Sequence, residues 1–122
     1  MALPVASGGG AEAVAAMRLL GIDGLSVTMP HKQSVAGAVD DLTPAARALG
    51  AANTVYRVGD RLVGDNTDGA GFVRSIRSQL AFDPREAAVT VIGAGGAAVA
   101  VSLALLDEGA RVTVVNLSLI HI

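Results

Sequence analysis

The chain has 122 residues, of which 52% are hydrophobic, 16% charged and 2% aromatic, and its formal net charge is −2. This composition excludes a disordered chain, and the small negative charge with few aromatic side chains gives no basis for binding nucleic acid or an anionic membrane. The absence of cysteine excludes disulfides, thiolate zinc sites and cysteine catalysis, and it suits a cytoplasmic protein.

The first half of the chain predicts short helices alternating with short strands. In the first helix Val14, Met17 and Leu20 recur at helical spacing on one face, and Gly21 follows as a stop signal. The predicted elements are, in chain order, helix 11–20, strand 24–29, a helix from residue 31 or 32 to 39, a helix from Thr43-Pro44 to Gly50, and strands 53–58 and 61–64 around the turn Gly59-Asp60. In the helix that starts at Thr43-Pro44, the threonine hydroxyl is expected at the N-cap and the proline at the first helical position.

The second half predicts a strand–helix–strand unit behind a linking helix. Thr67 or Asp68 suits the N-cap of that linking helix, and its expected packed face is Phe72, Ile76 and Leu80. The segment Asp83-Pro84-Arg85 then marks a join between two units. The elements after the join are strand 88–92, a glycine turn, helix 97–108 and strand 111–115, an order typical of parallel sheets.

Residues 87–106 are uncharged and long enough to span a bilayer. However, residues 89–92 are mainly β-branched, and the glycines at 93, 95 and 96 interrupt the middle of the segment. A strand, a turn and a helix explain this order better than one membrane helix, so we expect no membrane span.

The glycine turn Gly93-Ala94-Gly95-Gly96-Ala97-Ala98 fits the pattern G-x-G-x-x-[GA] between a strand and a helix. Such a loop lets the backbone approach a pyrophosphate at a helix N-terminus, so it predicts dinucleotide binding, although tight strand–helix packing is an alternative. The residue that distinguishes NAD from NADP should follow the second strand, which ends at Asn116. Neither an acidic residue nor an arginine follows, so both cofactors stay open.

Four polar residues suit a site that binds a polyhydroxylated molecule and moves a proton on one of its oxygens: Thr28, Lys32, Asn53 and Asp68. Each has a structural alternative, because Lys32 fits a surface lysine, Asp68 a helix cap and Asn53 a turn. His31 is expected to pack or to lie at the surface, since no second histidine stands near it. We therefore expect no metal site.

Four ordered motifs resemble those of the shikimate dehydrogenase family, and they cover nearly everything from Leu3 to Asn116. The matches are Ser26-Val27-Thr28-Met29-Pro30-His31-Lys32 with N-V-T-x-P-x-K, Gly50-Ala51-Ala52-Asn53-Thr54 with G-A-x-N-T, Gly64 to Gly71 with G-x-N-T-D-x-x-G, and Gly93 to Ala98 with G-A-G-G-A-[AS]. The resemblance implies an α/β fold: a partial substrate-binding domain (residues 1–83, with the linking helix at about 68–81), followed by the first β-α-β unit of a Rossmann-type NADP-binding domain (84–116).

The resemblance also implies an enzyme that reduces 3-dehydroshikimate to shikimate with NADPH, for aromatic amino-acid biosynthesis. Lys32 and Asp68 would be the catalytic pair, with Lys32 as general acid. Ser26, Thr28 and Asn53 would bind the substrate's ring hydroxyls or carboxylate. A homodimer stays open. So do two other functions: an NAD-dependent quinate or shikimate dehydrogenase, and a non-catalytic module that binds a small molecule or nucleotide.

By the same resemblance the loop Gly93-Ala94-Gly95-Gly96-Ala97-Ala98 would bind the NADP pyrophosphate, and Asn116 would also contact the cofactor. The chain departs from the family pattern at three points. Ser26 stands where asparagine is usual, a strand carrying a serine pair is absent before Met1, and Leu117 stands where arginine is usual. Residues 117–122 resemble the translated read-through of a sequencing-library adaptor. We therefore expect an internal fragment whose native sequence ends near Asn116, inactive alone and marginal in stability.

Overall fold

The computed structural model describes residues 1–116, so the predicted adaptor-derived tail lies outside the described residues. The fold is mixed α/β, which confirms the predicted fold class, and the chain divides into two compact units, residues 1–67 and residues from 68 onward. The first unit contains helices Gly10–Leu20 (α1), Lys32–Ala36 (α2) and Pro44–Leu49 (α3), and strands Gly24–Ser26 (β1), Asp41–Leu42 (β2), Thr54–Val58 (β3) and Arg61–Asp65 (β4). The second unit contains Asp68–Leu80 (α4), Ala88–Ile92 (β5), Gly96–Asp107 (α5) and Arg111–Val115 (β6).

The first unit is built on a four-stranded sheet in the order β1-β3-β4-β2. The pairs β1–β3 and β3–β4 are antiparallel, which confirms the predicted hairpin, and β2 runs parallel to β4. Strand β2 was not predicted, because two residues are too short to show periodicity. Asp40 fixes its start by accepting hydrogen bonds from the Leu62 N–H (2.7 Å) and from Arg18 (2.9 Å). These two hydrogen bonds hold the pKa of Asp40 below its ordinary value, and the bond from Leu62 has the larger effect.

The core of the first unit lies between α1, α2 and the sheet. Val14 and Met17 are buried as predicted, but Leu20 is 69% exposed. The reason lies at the helix end, where Gly21 is left-handed and the Ile22 N–H donates to the Met17 carbonyl (3.0 Å). This turn packs Ile22 against the core instead of Leu20. The buried residues of the cluster are Val14, Met17, Val35, Ala36, Ala52, Val55 and Leu62.

Two predicted elements are shorter in the structure than the sequence indicated. Strand β1 ends at Ser26 rather than at residue 29, because Pro30 cannot donate a ladder hydrogen bond and the chain turns ahead of it. Helix α2 ends at Ala36 rather than at Val39, with Gly37 as its C-cap. Val39 nevertheless packs against the core from the loop that follows.

The second unit confirms the predicted strand–helix–strand unit. Strands β5 and β6 pair in parallel with Ala88 opposite Arg111, and α5 connects them. The predicted packed face of α4 is wrong for two of its three residues, because Phe72 is 37% and Leu80 71% exposed. The third, Ile76, is half-buried, and Gly69 and Val73 are buried. The absence of a side chain at Gly69 explains the difference. A Cβ there would lie 2.6 Å from the Ala100 carbonyl oxygen, so only a glycine at this position lets the α5 backbone pack this closely against α4.

The compact units divide between Thr67 and Asp68, whereas the sequence places the join at Asp83-Pro84-Arg85. Helix α4 therefore groups with the strand–helix–strand unit, and its Arg77 pairs with Glu108 and with Asp83. The edge of a compact unit need not coincide with the domain boundary of a protein family. The predicted domain boundary between residues 83 and 84 therefore stays a prediction. Within residues 1–116 no helix combines the length and the apolar character that a membrane span requires.

Candidate active site

Main-chain hydrogen bonds join the three polar segments of the first unit. The Ala52 N–H donates to the Lys32 carbonyl (2.8 Å), the Val27 N–H donates to the Asn53 carbonyl (2.7 Å), and the Asn53 N–H donates to the Asp65 carbonyl (2.9 Å). Residues 26–32, 50–54 and 64–67, which are far apart in sequence, therefore lie side by side. The segments that carry Ser26, Thr28, Lys32 and Asn53 meet at one end of the sheet.

The turn before Lys32 is tight. The Met29–Pro30 peptide bond is cis, and the His31 N–H donates to the Thr28 carbonyl (3.1 Å). Lys32 is the first residue of α2 and is half-buried, while Ser26 and Thr28 are exposed. The turn thus presents two hydroxyls to solvent and holds the lysine backbone at a strand-to-helix corner.

Asn53 connects two of the segments through its side chain. Its Nδ2 donates to Thr67 Oγ1 (3.0 Å), and its Oδ1 accepts from the Thr67 N–H (3.0 Å) and from Thr54 Oγ1 (3.0 Å). The amide therefore fixes the residue immediately before α4. This contact gives Asn53 a structural role in addition to the binding role that the sequence predicts.

Sequence reasoning missed Asp65 and Asn66. Asn66 is buried, with 6% exposure, and its Nδ2 donates to the Ala51 carbonyl (3.0 Å). Asp65 Oδ1 accepts from Thr43 Oγ1 (2.6 Å) and from the Asn66 N–H (2.7 Å). The signal was a pair of polar residues at the end of a strand, where side chains often satisfy backbone groups that leave the sheet.

Asp68 begins α4, is half-buried, and is an acidic residue in the first turn of a helix. A carboxylate there is stabilised by the helix dipole, so stabilisation of the helix is by itself a sufficient structural explanation for Asp68. Lys32 and Asp68 belong to different compact units, and their pairing stays a prediction. Asp68 and Asp65 belong to no metal cluster, since residues 1–116 contain no group of three or more His, Cys, Asp or Glu side chains suited to an ion.

A cavity of about 320 Å³ lies in the first unit between α1 and β1. Ser26, Thr28 and His31 contribute to its wall, but the rest of the wall is mainly apolar, with Met17 and Leu25 among its residues. Lys32 and Asn53 do not line it. A polyhydroxylated ligand needs more polar partners than this wall offers, so the cavity does not match the ligand that the sequence predicts.

The glycine turn after β5 has the geometry of an open backbone loop. Gly93 has φ +113°, a conformation that favours glycine, and Gly95 is the N-cap of the twelve-residue helix α5. A Cβ added at Gly93, Gly95 or Gly96 would meet no atom of the described residues within 4 Å. Close strand–helix packing therefore does not explain these glycines, and their backbone leaves room for a phosphate at the helix N-terminus. Asn116 follows β6 and is half-buried.

Comparison with known proteins gives consistent matches. Residues 2–55 match the family model of the shikimate dehydrogenase substrate binding domain. The curated shikimate dehydrogenase (NADP(+)) of Geobacter metallireducens is 51% identical over 104 residues, which are 85% of this chain and 36% of that protein. Among solved structures, shikimate 5-dehydrogenase from Listeria monocytogenes, in complex with shikimate and NAD, is 31% identical with a TM-score of 0.87, and the match covers 93% of this chain and 39% of that one.

A second solved structure that matches is the ligand-free 5-ketofructose reductase of a Gluconobacter strain. It is 35% identical with a TM-score of 0.83, and the match covers 92% of this chain and 40% of that one. The chain thus spans little more than a third of the length of the proteins it matches. Residues 2–55 are therefore similar to the shikimate dehydrogenase substrate binding domain, and most of the chain is similar to shikimate dehydrogenases.

Proposed function

We propose that this chain carries the substrate-binding segments and the first nucleotide-binding unit of a cytoplasmic, NADPH-dependent shikimate dehydrogenase. The reaction is the reduction of 3-dehydroshikimate to shikimate, a step in aromatic amino-acid biosynthesis. The observation that carries the proposal is the hydrogen-bonded junction of residues 26–32, 50–54 and 64–67. The names of the Geobacter and Listeria proteins support the choice of substrate.

Reduction of a ketone to an alcohol requires a hydride on carbon and a proton on oxygen. Bound NADPH would supply the hydride. In the proposal, the Lys32 ammonium donates the proton to the ketone oxygen, and Asp68 accepts a hydrogen bond from the resulting hydroxyl and holds the ammonium in place. Ser26, Thr28 and Asn53 bind the remaining hydroxyls or the carboxylate of the substrate. A serine at position 26 reaches less far than an asparagine would.

The proposed cofactor site is the loop Gly93-Ala94-Gly95-Gly96-Ala97-Ala98, with Asn116 as a further contact. The open space around its glycines supports a phosphate-binding role. We favour NADP because the Geobacter relative is named for it, and NAD is the alternative because the Listeria structure contains it. The assay below tests whether this loop supports turnover with NADPH.

The test uses a chimera in which the matched residues of this chain replace the corresponding 104-residue segment of the Geobacter enzyme. Lys32→Ala should lower kcat by at least about 100-fold while KM for shikimate changes only a few-fold, because a general acid acts mainly in the transition state. Lys32→Arg is the matched control. Arginine keeps the positive charge but cannot release a proton at neutral pH. The Lys32→Arg chimera should therefore bind shikimate, but its turnover should be slow, like that of Lys32→Ala.

Retained turnover in the Lys32→Ala chimera would contradict the catalytic assignment. Loss of shikimate affinity with unchanged kcat would instead make Lys32 a binding residue. If the unsubstituted chimera bound shikimate without any turnover, the non-catalytic binding module would be the better reading of this chain.

The ketofructose reductase match favours a second candidate, the reduction of a different polyhydroxylated ketone. The same pair of proton-transfer groups would serve either ketone, so the substrate depends on the groups that bind its hydroxyls. Parallel assays of the chimera with shikimate, quinate and 5-ketofructose decide among these substrates by their ratios of kcat/KM.

A further inference from the structure

His31 has a side-chain contact that the sequence did not predict. It is half-buried, and its Nε2 lies 3.1 Å from the carbonyl oxygen of Val5, 26 residues earlier in the chain. A carbonyl oxygen can only accept a hydrogen bond, so Nε2 carries the ring proton in this contact. The other nitrogen, Nδ1, is buried without a hydrogen-bond partner among residues 1–116. The imidazole therefore uses its Nε2–H to bind the main chain ahead of α1.

The main chain of His31 is held as well. Its N–H donates to the Thr28 carbonyl (3.1 Å), and its carbonyl accepts from the Val35 N–H (3.0 Å) and from Ser34 Oγ (3.0 Å). The next carbonyl, that of Lys32, accepts from the Ala52 N–H (2.8 Å). The peptide groups on both sides of the Lys32 α-carbon are thus tied down.

We propose that His31 is a positioning residue for Lys32. The Ala52 contact holds the lysine from the side of the sheet, and the His31–Val5 hydrogen bond holds the same turn from the side of α1. Pro30 has no N–H to offer, so the turn depends on its neighbours for anchoring. The inference rests on the proposed function, because it concerns the placement of the proposed proton donor. His31 acts through Lys32 and not on the substrate.

Two substitutions separate the hydrogen bond from the packing of the ring. His31→Phe keeps an aromatic ring but has no donor, whereas His31→Gln places a side-chain N–H near the position of Nε2. Lys32 is the only lysine in the sequence, so its side-chain signals in the NMR spectrum of the 122-residue chain need no sorting from other lysines. We expect His31→Phe to shift the Lys32 ε-methylene signals toward those of an unfolded chain, and His31→Gln to keep them as in the parent chain.

In the chimera, His31→Phe should lower kcat by about 10- to 100-fold with KM within threefold, since small displacements of a reacting group are costly. His31→Gln should restore kcat to within about threefold. Unchanged Lys32 signals in a folded His31→Phe chain would overturn the proposal. So would a His31→Gln chain that behaves like His31→Phe.

A measurement on the unsubstituted chain covers the case in which the variants do not fold. The ring nitrogen spectrum of His31 should show the proton on Nε2, and a proton on Nδ1 instead would overturn the proposal. Neither this spectrum nor the Lys32 signals depend on substrate. A failure of the proposed function, seen as turnover in the Lys32→Ala chimera, is therefore distinguishable from a failure of the positioning role.

Discussion

Two glycines on α4 have opposite surroundings. A Cβ added at Gly69 would lie 2.6 Å from the Ala100 carbonyl oxygen and 2.7 Å from the Ala104 Cβ, whereas one added at Gly71 would meet no atom of residues 1–116 within 4 Å. Gly69→Ala should therefore force α4 away from α5 and destabilise the second unit by about 1–3 kcal/mol. Gly71→Ala should stabilise it by about 0.4–1 kcal/mol, because alanine is the better helix former.

Hydrogen exchange of the α4 and α5 amides measures both effects within the second unit. Relative to the parent chain, we expect faster exchange in Gly69→Ala and equal or slower exchange in Gly71→Ala. Equal protection in Gly69→Ala and the parent chain would show that α4 and α5 do not pack through this glycine.

The same glycine shows why sequence periodicity misjudged this helix. A search for apolar residues at helical spacing finds Phe72, Ile76 and Leu80, because it counts side chains and gives a glycine no weight. Packing against α5 instead depends on how closely two backbones approach, and that distance is a tertiary property. Asn66 was overlooked for a related reason. Its structural role is to donate a hydrogen bond to the Ala51 carbonyl, a partner 15 residues away in the sequence.

Among the elements, α3 shows the clearest link from sequence to local structure. Thr43 was predicted as its N-cap with Pro44 at the first position, and the structure confirms both, with Thr43 Oγ1 accepting from the Ala46 N–H (3.3 Å). The same hydroxyl donates to Asp65 Oδ1 (2.6 Å), so it also connects α3 to the end of β4. The cap was visible in the sequence, whereas the connection depends on the fold.

Thr43→Ala should destabilise the first unit by about 0.5–2 kcal/mol, because it removes the cap and leaves Asp65 without that donor. Thr43→Ser keeps the hydroxyl and should stay within about 0.5 kcal/mol of the parent chain. The fluorescence of Tyr56, the only tyrosine in a chain without tryptophan, follows urea unfolding of the first unit, since Tyr56 lies in β3. If the alanine and serine variants unfolded at the same urea concentration, the hydroxyl would have no capping role.

Strands and helices with strong local signals were predicted almost to the residue. Strands β5 and β6 match their predicted bounds, and α5 begins and ends one residue earlier than expected. The elements that the sequence misjudged, β1, β2 and α2, have two to five residues each, and their ends depend on contacts made elsewhere in the fold. The candidate site divides in the same way. The polar motifs were visible in the sequence, but the hydrogen bonds that join them were not.

At the scale of the whole molecule, the second unit has little cover for its apolar surface. Within residues 68–116 its sheet has two strands, Ile92 at the end of β5 is 86% exposed, and Val114 and Val115 in β6 are 46% and 47% exposed. Helix α5 carries no charge before Asp107 and exposes Leu106 at 51%. One strand–helix–strand unit cannot bury both faces of its sheet, so this unit should open more readily than the first.

This uncovered surface leads to a prediction about activity. The purified 122-residue chain should show no shikimate-dependent reduction of NADP, because a two-stranded sheet offers only the first phosphate-binding loop of a nucleotide site and the chain spans 36% of its Geobacter relative. The assay measures NADPH absorbance with shikimate in excess, with the chimera as positive control and the Lys32→Ala chain as background. Turnover of the parent chain above that background would mean that residues 1–122 already hold a complete catalytic site.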